Sequence, residues 1–144
     1  MARTQGNRGH EVATEVAIRD AALRLFSTVG FAGTGIRLIA QEAGISLASL
    51  YHYMSSKEDL LVAMMRTNIR GLLTESERAL EGVDGPIDRI RVLVRVHVTI
   101  HATQSMLCVV SDTEIRSLSE GFRREIVADR DRYEALWRDA IDRG

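Results

Sequence analysis

Four residues, Ala43-Gly44-Ile45-Ser46, constrain this chain more than any other stretch. They separate two short segments that each read as helix. In the first, Ile36, Ile39 and Ala40 are apolar and Gly44 is the stop; the second begins after Ser46 and extends to about Met54. The glycine permits the left-handed backbone of a tight turn, and serine is a natural N-cap for the second helix. Small Ala40 lets two such helices approach closely, while Ile39, Ile45 and Leu50 supply the apolar contact that locks the second onto the first. The build is that of a helix-turn-helix.

The rest of the chain fits around it. Met1 to His10 is polar, basic and glycine-containing, and reads as a flexible arm. Ile18, Ala22, Leu25, Phe26 and Val29 then mark one face of a helix that Gly30 stops, and Thr34 is placed to cap the next one. Ser55-Ser56 precede Lys57-Glu58-Asp59, whose acids suit a helix N-terminus, and a fourth helix carries Leu61, Met65, Ile69, Leu72 and Leu73 to about Leu80. Glu81 to Gly85 is the clearest boundary, with Pro86 placed for a first helical turn. From Ile87 to Thr103 the valines alternate as in a strand. The run far exceeds the usual strand of about 5–6 residues and has no partner strand, so it reads as a helix, apolar on most sides and buried. Met106 to Leu118 reads as a shorter helix, and Phe122, Ile126, Tyr133, Leu136, Trp137 and Ala140 mark a last one. The fold class is therefore all-α: a head over residues 1–57 and a helical body over 58–144, with 58–80 as the connecting helix.

Composition sets limits on function. With 144 residues, 45% hydrophobic and 27% charged, the chain can bury a core, and disorder is not expected. Cys108 is the lone cysteine, which rules out an internal disulfide and a cysteine-based zinc site and suits a reducing cytoplasm. No stretch approaches the roughly 18 apolar residues of a membrane span, so no membrane role is expected. The net charge is −1, but residues 1–57 carry an excess of two positive charges, so the basic half is the head. No glycine-rich phosphate loop, positioned nucleophile or paired carboxylate supports an enzyme. His97 and His101 share a helix face, yet no carboxylate or cysteine beside them completes a metal site; lining a pocket and packing as satisfied core histidines both remain open. The side chains left outward between Leu47 and Tyr53 are short, polar or aromatic, as a helix entering the major groove requires.

At these positions the chain resembles the tetracycline-repressor (TetR) family of bacterial transcription regulators. The resemblance rests on Ala22-Leu23-Arg24-Leu25-Phe26, Gly30-Phe31, Thr34, Ile39-Ala40, Ala43-Gly44-Ile45-Ser46, Leu50-Tyr51-His52-Tyr53, Ser56-Lys57-Glu58 and Leu60. It covers about the first third of the chain. Gly35, Leu38, Leu47 and Met54 depart from the usual pattern, and Leu47 would meet a thymine methyl rather than a hydrogen-bonding edge. The resemblance implies that Arg37, Leu47, Ala48 and Ser49 read base edges, and that Thr34, Tyr51, Tyr53 and Lys57 clamp phosphates, with His52 between the two classes. It implies a homodimer on a palindromic double-stranded operator, released by a small-molecule effector. Val94, His97, His101, Met106 and Trp137 are the candidate lining of the effector pocket, and no cofactor or metal is implied.

The body, from Val96 through Thr113-Glu114-Ile115-Arg116-Ser117-Leu118 to Arg130-Asp131-Arg132-Tyr133-Glu134, is similar to members from high-GC Gram-positive bacteria that control lipid and sterol breakdown and respond to acyl-coenzyme A thioesters. A family member would continue past Gly144 with two helices that build the dimer interface, so the chain reads as C-terminally truncated or as an unusual dimer. The alternative to an operator-binding regulator is a helical ligand-binding or protein-interaction module.

Overall fold

A computed structural model describes residues 3–142, with side chains described from Gly9 to Asp142. Its elements are α1 (Arg3–Thr28), α2 (Ile36–Glu42), α3 (Leu47–Leu50), α4 (Lys57–Ala79), α5 (Pro86–Thr103), α6 (Ser105–Thr113), a 3₁₀ turn (Ile115–Ser117) and α7 (Glu120–Asp142). The described residues contain no strand, in keeping with the all-α expectation. The chain divides into two compact units, Met1–Leu61 and Val62–Gly144.

In the first unit α1 and α3 both pack on α2. Ile18, Ala21, Ala22, Phe26, Ile39, Ala40 and Leu50 are its buried core, closed by an edge-to-face contact of Phe26 with Phe31 at 5.3 Å. Helix α1 begins at Arg3, so the arm expected up to His10 is helical from Arg3 onward; Met1 and Ala2 lie outside the described residues. Gly6 and Gly9 disfavour a helix without forbidding it, and no proline interrupts the run. Val29 is 51% exposed rather than part of the buried face, because the helix ends one residue before it and Gly30 turns the chain with φ 86°.

The second unit is built on α5 packed against α7. Leu80, Val92, Leu93 and Ala140 form a buried cluster that Ala79, Val83, Ile90, Leu136 and Trp137 surround. Pro86 opens α5 in its first turn, where its missing N–H costs nothing. The Ile87–Thr103 stretch is helical as expected, but it is not buried on most sides. Val92 and Leu93 are inside, whereas Ile87, Val94 and Val98 are 60, 45 and 58% exposed. Successive valines two apart step by about 200° round a helix, so an alternating run spreads over all its faces and only one stripe can meet α7. The chain bends by 98° between α5 and α6. The helix expected over Met106 to Leu118 stops at Thr113, and Leu118 follows the 3₁₀ turn in an extended conformation with its side chain buried. No single helix among the described residues is long and apolar enough to cross a membrane.

Candidate nucleic-acid interface

The turn between α2 and α3 is closed by two backbone bonds, Gly44 N–H to the Gln41 carbonyl at 3.1 Å and Ile45 N–H to the Ala40 carbonyl at 3.0 Å. That pairing is a Schellman motif, and it demands a left-handed residue, which Gly44 supplies with φ 71°. Ser46 then caps α3, its hydroxyl oxygen accepting the Ser49 amide at 3.0 Å. Leu50 is the buried residue of α3, at 0% exposure, and ties this short helix to the core. With the inner side fixed, Ala48, Tyr51 and His52 are exposed, and Leu47, Ser49 and Tyr53 are half-buried at the rim. Arg37, in the first turn of α2, is also exposed. Seven of the nine expected contact residues (Arg37, Leu47, Ala48, Ser49, Tyr51, His52 and Tyr53) therefore keep at least part of the side chain open to solvent on α2, α3 and the turn after it.

Two do not fit their expected roles. Thr34 is 1% exposed, and its hydroxyl donates inward to the Gly30 carbonyl at 2.7 Å. It neither caps α2, whose N-cap is Gly35 without a side-chain bond, nor offers a hydroxyl to a phosphate. Threonine here satisfies a backbone carbonyl of the turn after α1. Lys57 sends its ammonium to the carbonyls of Phe31 (2.8 Å) and Thr34 (3.1 Å), 4.4 Å from the centre of the Phe31 ring. Two of its three protons are thereby used inside the unit, so Lys57 braces the α1–α2 connection instead of standing free as a clamp. Ser56 caps α4, its oxygen accepting the Asp59 amide at 3.0 Å.

Sequence reasoning missed the contribution of α1. His10, Glu11, Thr14 and Glu15 form one wall of an open cleft whose other wall is Ile45, Ser49, His52 and Tyr53. Exposed positions four apart on a polar helix carry no signal that distinguishes this face from ordinary solvent-facing helix.

In the second unit the candidate pocket residues separate. His97 and His101 stack at 4.0 Å, His97 Nδ1 lies 3.0 Å from the Tyr133 hydroxyl, and Trp137 meets both His97 and Tyr133 edge-on at 6.2 Å. His101 Nδ1 donates to the His97 carbonyl at 2.9 Å. Burial, and then the adjacent His101, hold His97 below the usual histidine range, with Asp112 opposing; burial also pushes the Tyr133 hydroxyl up. Val94 and Met106 are 45 and 41% exposed and do not join this cluster. Tyr133, expected as plain core, does. Its spacing of four from Trp137 was the available signal. No group of three or more His, Cys, Asp or Glu among the described residues is placed to hold a metal ion.

This geometry has close counterparts. The family model of bacterial regulatory proteins, tetR family, matches residues 18–64, and that of the tetracyclin repressor-like C-terminal domain matches residues 83–144. The structure of the TetR-family regulator PfmR from Thermus thermophilus superposes with a TM-score of 0.81 at 33% identity, covering 88% of this chain and 69% of PfmR. The chain belongs to the TetR family.

The HTH-type transcriptional regulator BetI of Rhizobium meliloti is 35% identical over 88 residues, which are 61% of this chain and 43% of BetI. The chain thus spans less than half the length of the curated relatives it matches first. AibR, solved in complex with isovaleryl coenzyme A and operator DNA, superposes with a TM-score of 0.79 at 25% identity, covering 90% of this chain and 70% of AibR. Against the usual TetR pattern, the departure at Gly35 leaves the start of α2 without a side-chain cap, while Met54 serves as core at 7% exposure. Leu47 is half-buried at the rim of α3.

Proposed function

We propose that this chain is a sequence-specific, DNA-binding transcriptional regulator of the cytoplasm, a repressor that acts as a homodimer on a palindromic operator and is released by a small hydrophobic or acyl-coenzyme A effector. The observation that carries the proposal is the α2–turn–α3 element, with its inner side tied down by Leu50 and Gly44 and its outer side short and solvent-facing. Two such helices related by a two-fold axis would enter successive major grooves about 34–36 Å apart. Arg37, Leu47, Ala48 and Ser49 are the candidates to read bases, and Tyr51 and Tyr53 to hold phosphates, with His52 between them. Selection of sheared genomic DNA by the purified chain is expected to recover a palindrome that Tyr51→Ala loses. Equal recovery by both proteins, or of nothing, overturns the proposal.

The effector class is supported by AibR, whose complex holds isovaleryl coenzyme A. In this chain His97, His101, Tyr133 and Trp137 are the polar and aromatic groups gathered in the second unit to meet such a ligand. A thioester that binds the folded chain at a hundred times its Kd raises stability by about 2.7 kcal/mol. A melting temperature that no acyl-coenzyme A chain length moves would remove this class.

A further inference from the structure

Helix α5 carries an apolar stripe on its outer side. Ile87, Val94 and Val98 are exposed, and at about 100° per residue they fall within about 40° of one another round the helix. Val92 and Leu93 point the other way, into the cluster that Leu136, Trp137 and Ala140 of α7 complete. Large aliphatic side chains aligned on a solvent-facing side are the kind of patch that marks an interface. One flank of the stripe is charged. Asp84, Asp88, Arg91 and Arg95 line a single open cleft there. Asp88 pairs with Arg91 at 2.9 Å, and Arg95 forms no ion pair among the described residues. The two acids come first along the chain and the two arginines after them, so the flank is complementary to its own reverse.

We infer that this face of α5 docks a second copy of the chain, the two α5 helices running antiparallel about a two-fold axis. Such symmetry presents the same patch from both sides, so every contact is made twice. It also turns like flanks toward each other with their directions reversed. Asp84 and Asp88 of one copy then stand against Arg91 and Arg95 of the other, and Arg95 gains the acid it lacks within its own copy. Within a turn of the same register, Ile87 of each copy meets Val94 of the other, which removes the apolar stripe from water. The apolar contact supplies affinity, and the charged flank fixes direction and register. The inference rests on the homodimer of the proposed function and deepens it by naming the face that pairs.

The test is sedimentation velocity of the full chain and its variants over a range of concentrations. Wild type is expected to dimerise, and Val94→Asp to raise the dimer dissociation constant by about tenfold or more, since it sets a carboxylate in the apolar contact. Asp88→Arg and Arg95→Glu should each do the same, because each sets like charges together at both copies of the contact. Mixed in equal amounts, those two chains should regain the dimer that neither forms alone: Arg95 of the first meets Asp88 of the second, and the two new charges meet each other. Melting each variant checks its fold. Asp84→Arg, which lies ahead of the helix, replaces Asp88→Arg should loss of the first-turn acid unfold α5. A mixture that stays monomeric overturns the antiparallel pairing. A wild-type dimer that none of these changes weakens overturns the inference and leaves the homodimer standing. A wild-type chain that stays monomeric at every concentration overturns both, whereas operator binding is read separately by the genomic selection.

Discussion

Leu50→Ala is expected to cost the head about 2–5 kcal/mol of stability and to abolish retention of DNA. Helix α3 has four residues, far fewer than an isolated helix needs in water, so its position depends on packing. Leu50 is its buried residue and is fully enclosed. Removing it leaves a cavity under the reading element and frees the segment that carries Leu47, Ala48 and Ser49. Leu50→Met, which roughly conserves volume, should cost less than about 1.5 kcal/mol and keep the operator pattern. Thermal melting and DNA retention, measured on both variants, check this. An alanine variant that melts with wild type would show that α3 is held by something other than Leu50.

Arg70→Ala is expected to destabilise the second unit by about 2 kcal/mol, more than Asp129→Ala does. Arg66 grips Glu125 with both guanidinium arms, the second at 2.6 Å, while Arg70 reaches Asp129 at 2.9 Å and Glu125 at 3.1 Å. The pair is asymmetric. The Asp129 side chain is only 10% exposed, with Arg132 as its other cation at 3.5 Å, whereas Arg70 is 55% exposed. Losing the aspartate leaves a guanidinium that water can solvate. Losing the arginine leaves a desolvated carboxylate next to a second one. The double variant should recover part of the loss, and a cycle in which Asp129→Ala is the costlier change would refute this account. The same ladder sets an acid limit. Arg66 holds the Glu125 carboxyl below its usual range, so its contribution is present above the ordinary glutamate value of about 4.3 and is lost as pH falls through the lower folded value.

The features readable in the chain were those set by local backbone chemistry. Gly44 with Ser46 specified a turn and a cap, and both formed where expected because a left-handed residue and a side-chain acceptor act on neighbours within a few positions. Length and the lack of any turn signal placed α5 as a helix despite its alternating valines, because a lone long strand has nothing to pair with. Which side of each helix faces inward was less legible. Val94 and Met106 look the same in sequence whether they line a pocket or meet solvent; the packing of α5 on α7 leaves Val94 turned out, and Met106 is exposed on α6.

The contacts between distant residues belong to the tertiary structure alone. Thr34 and Lys57 carry the right groups for phosphate, and nothing in their neighbourhood of sequence reveals that Gly30, Phe31 and Thr34 present carbonyls that claim them first. Tyr133 reaches His97 across 36 positions, and Glu125 meets Arg66 across 59. The physical reason is range. Dihedral preference and capping act over about one helical turn and are written in order along the chain, whereas satisfaction of buried carbonyls and charges depends on which donors the folded core brings within about 3 Å. By itself, then, the sequence determined the all-α class, the glycine turn and the residues proposed for the groove. The tertiary structure decided which of those side chains stay free to use it.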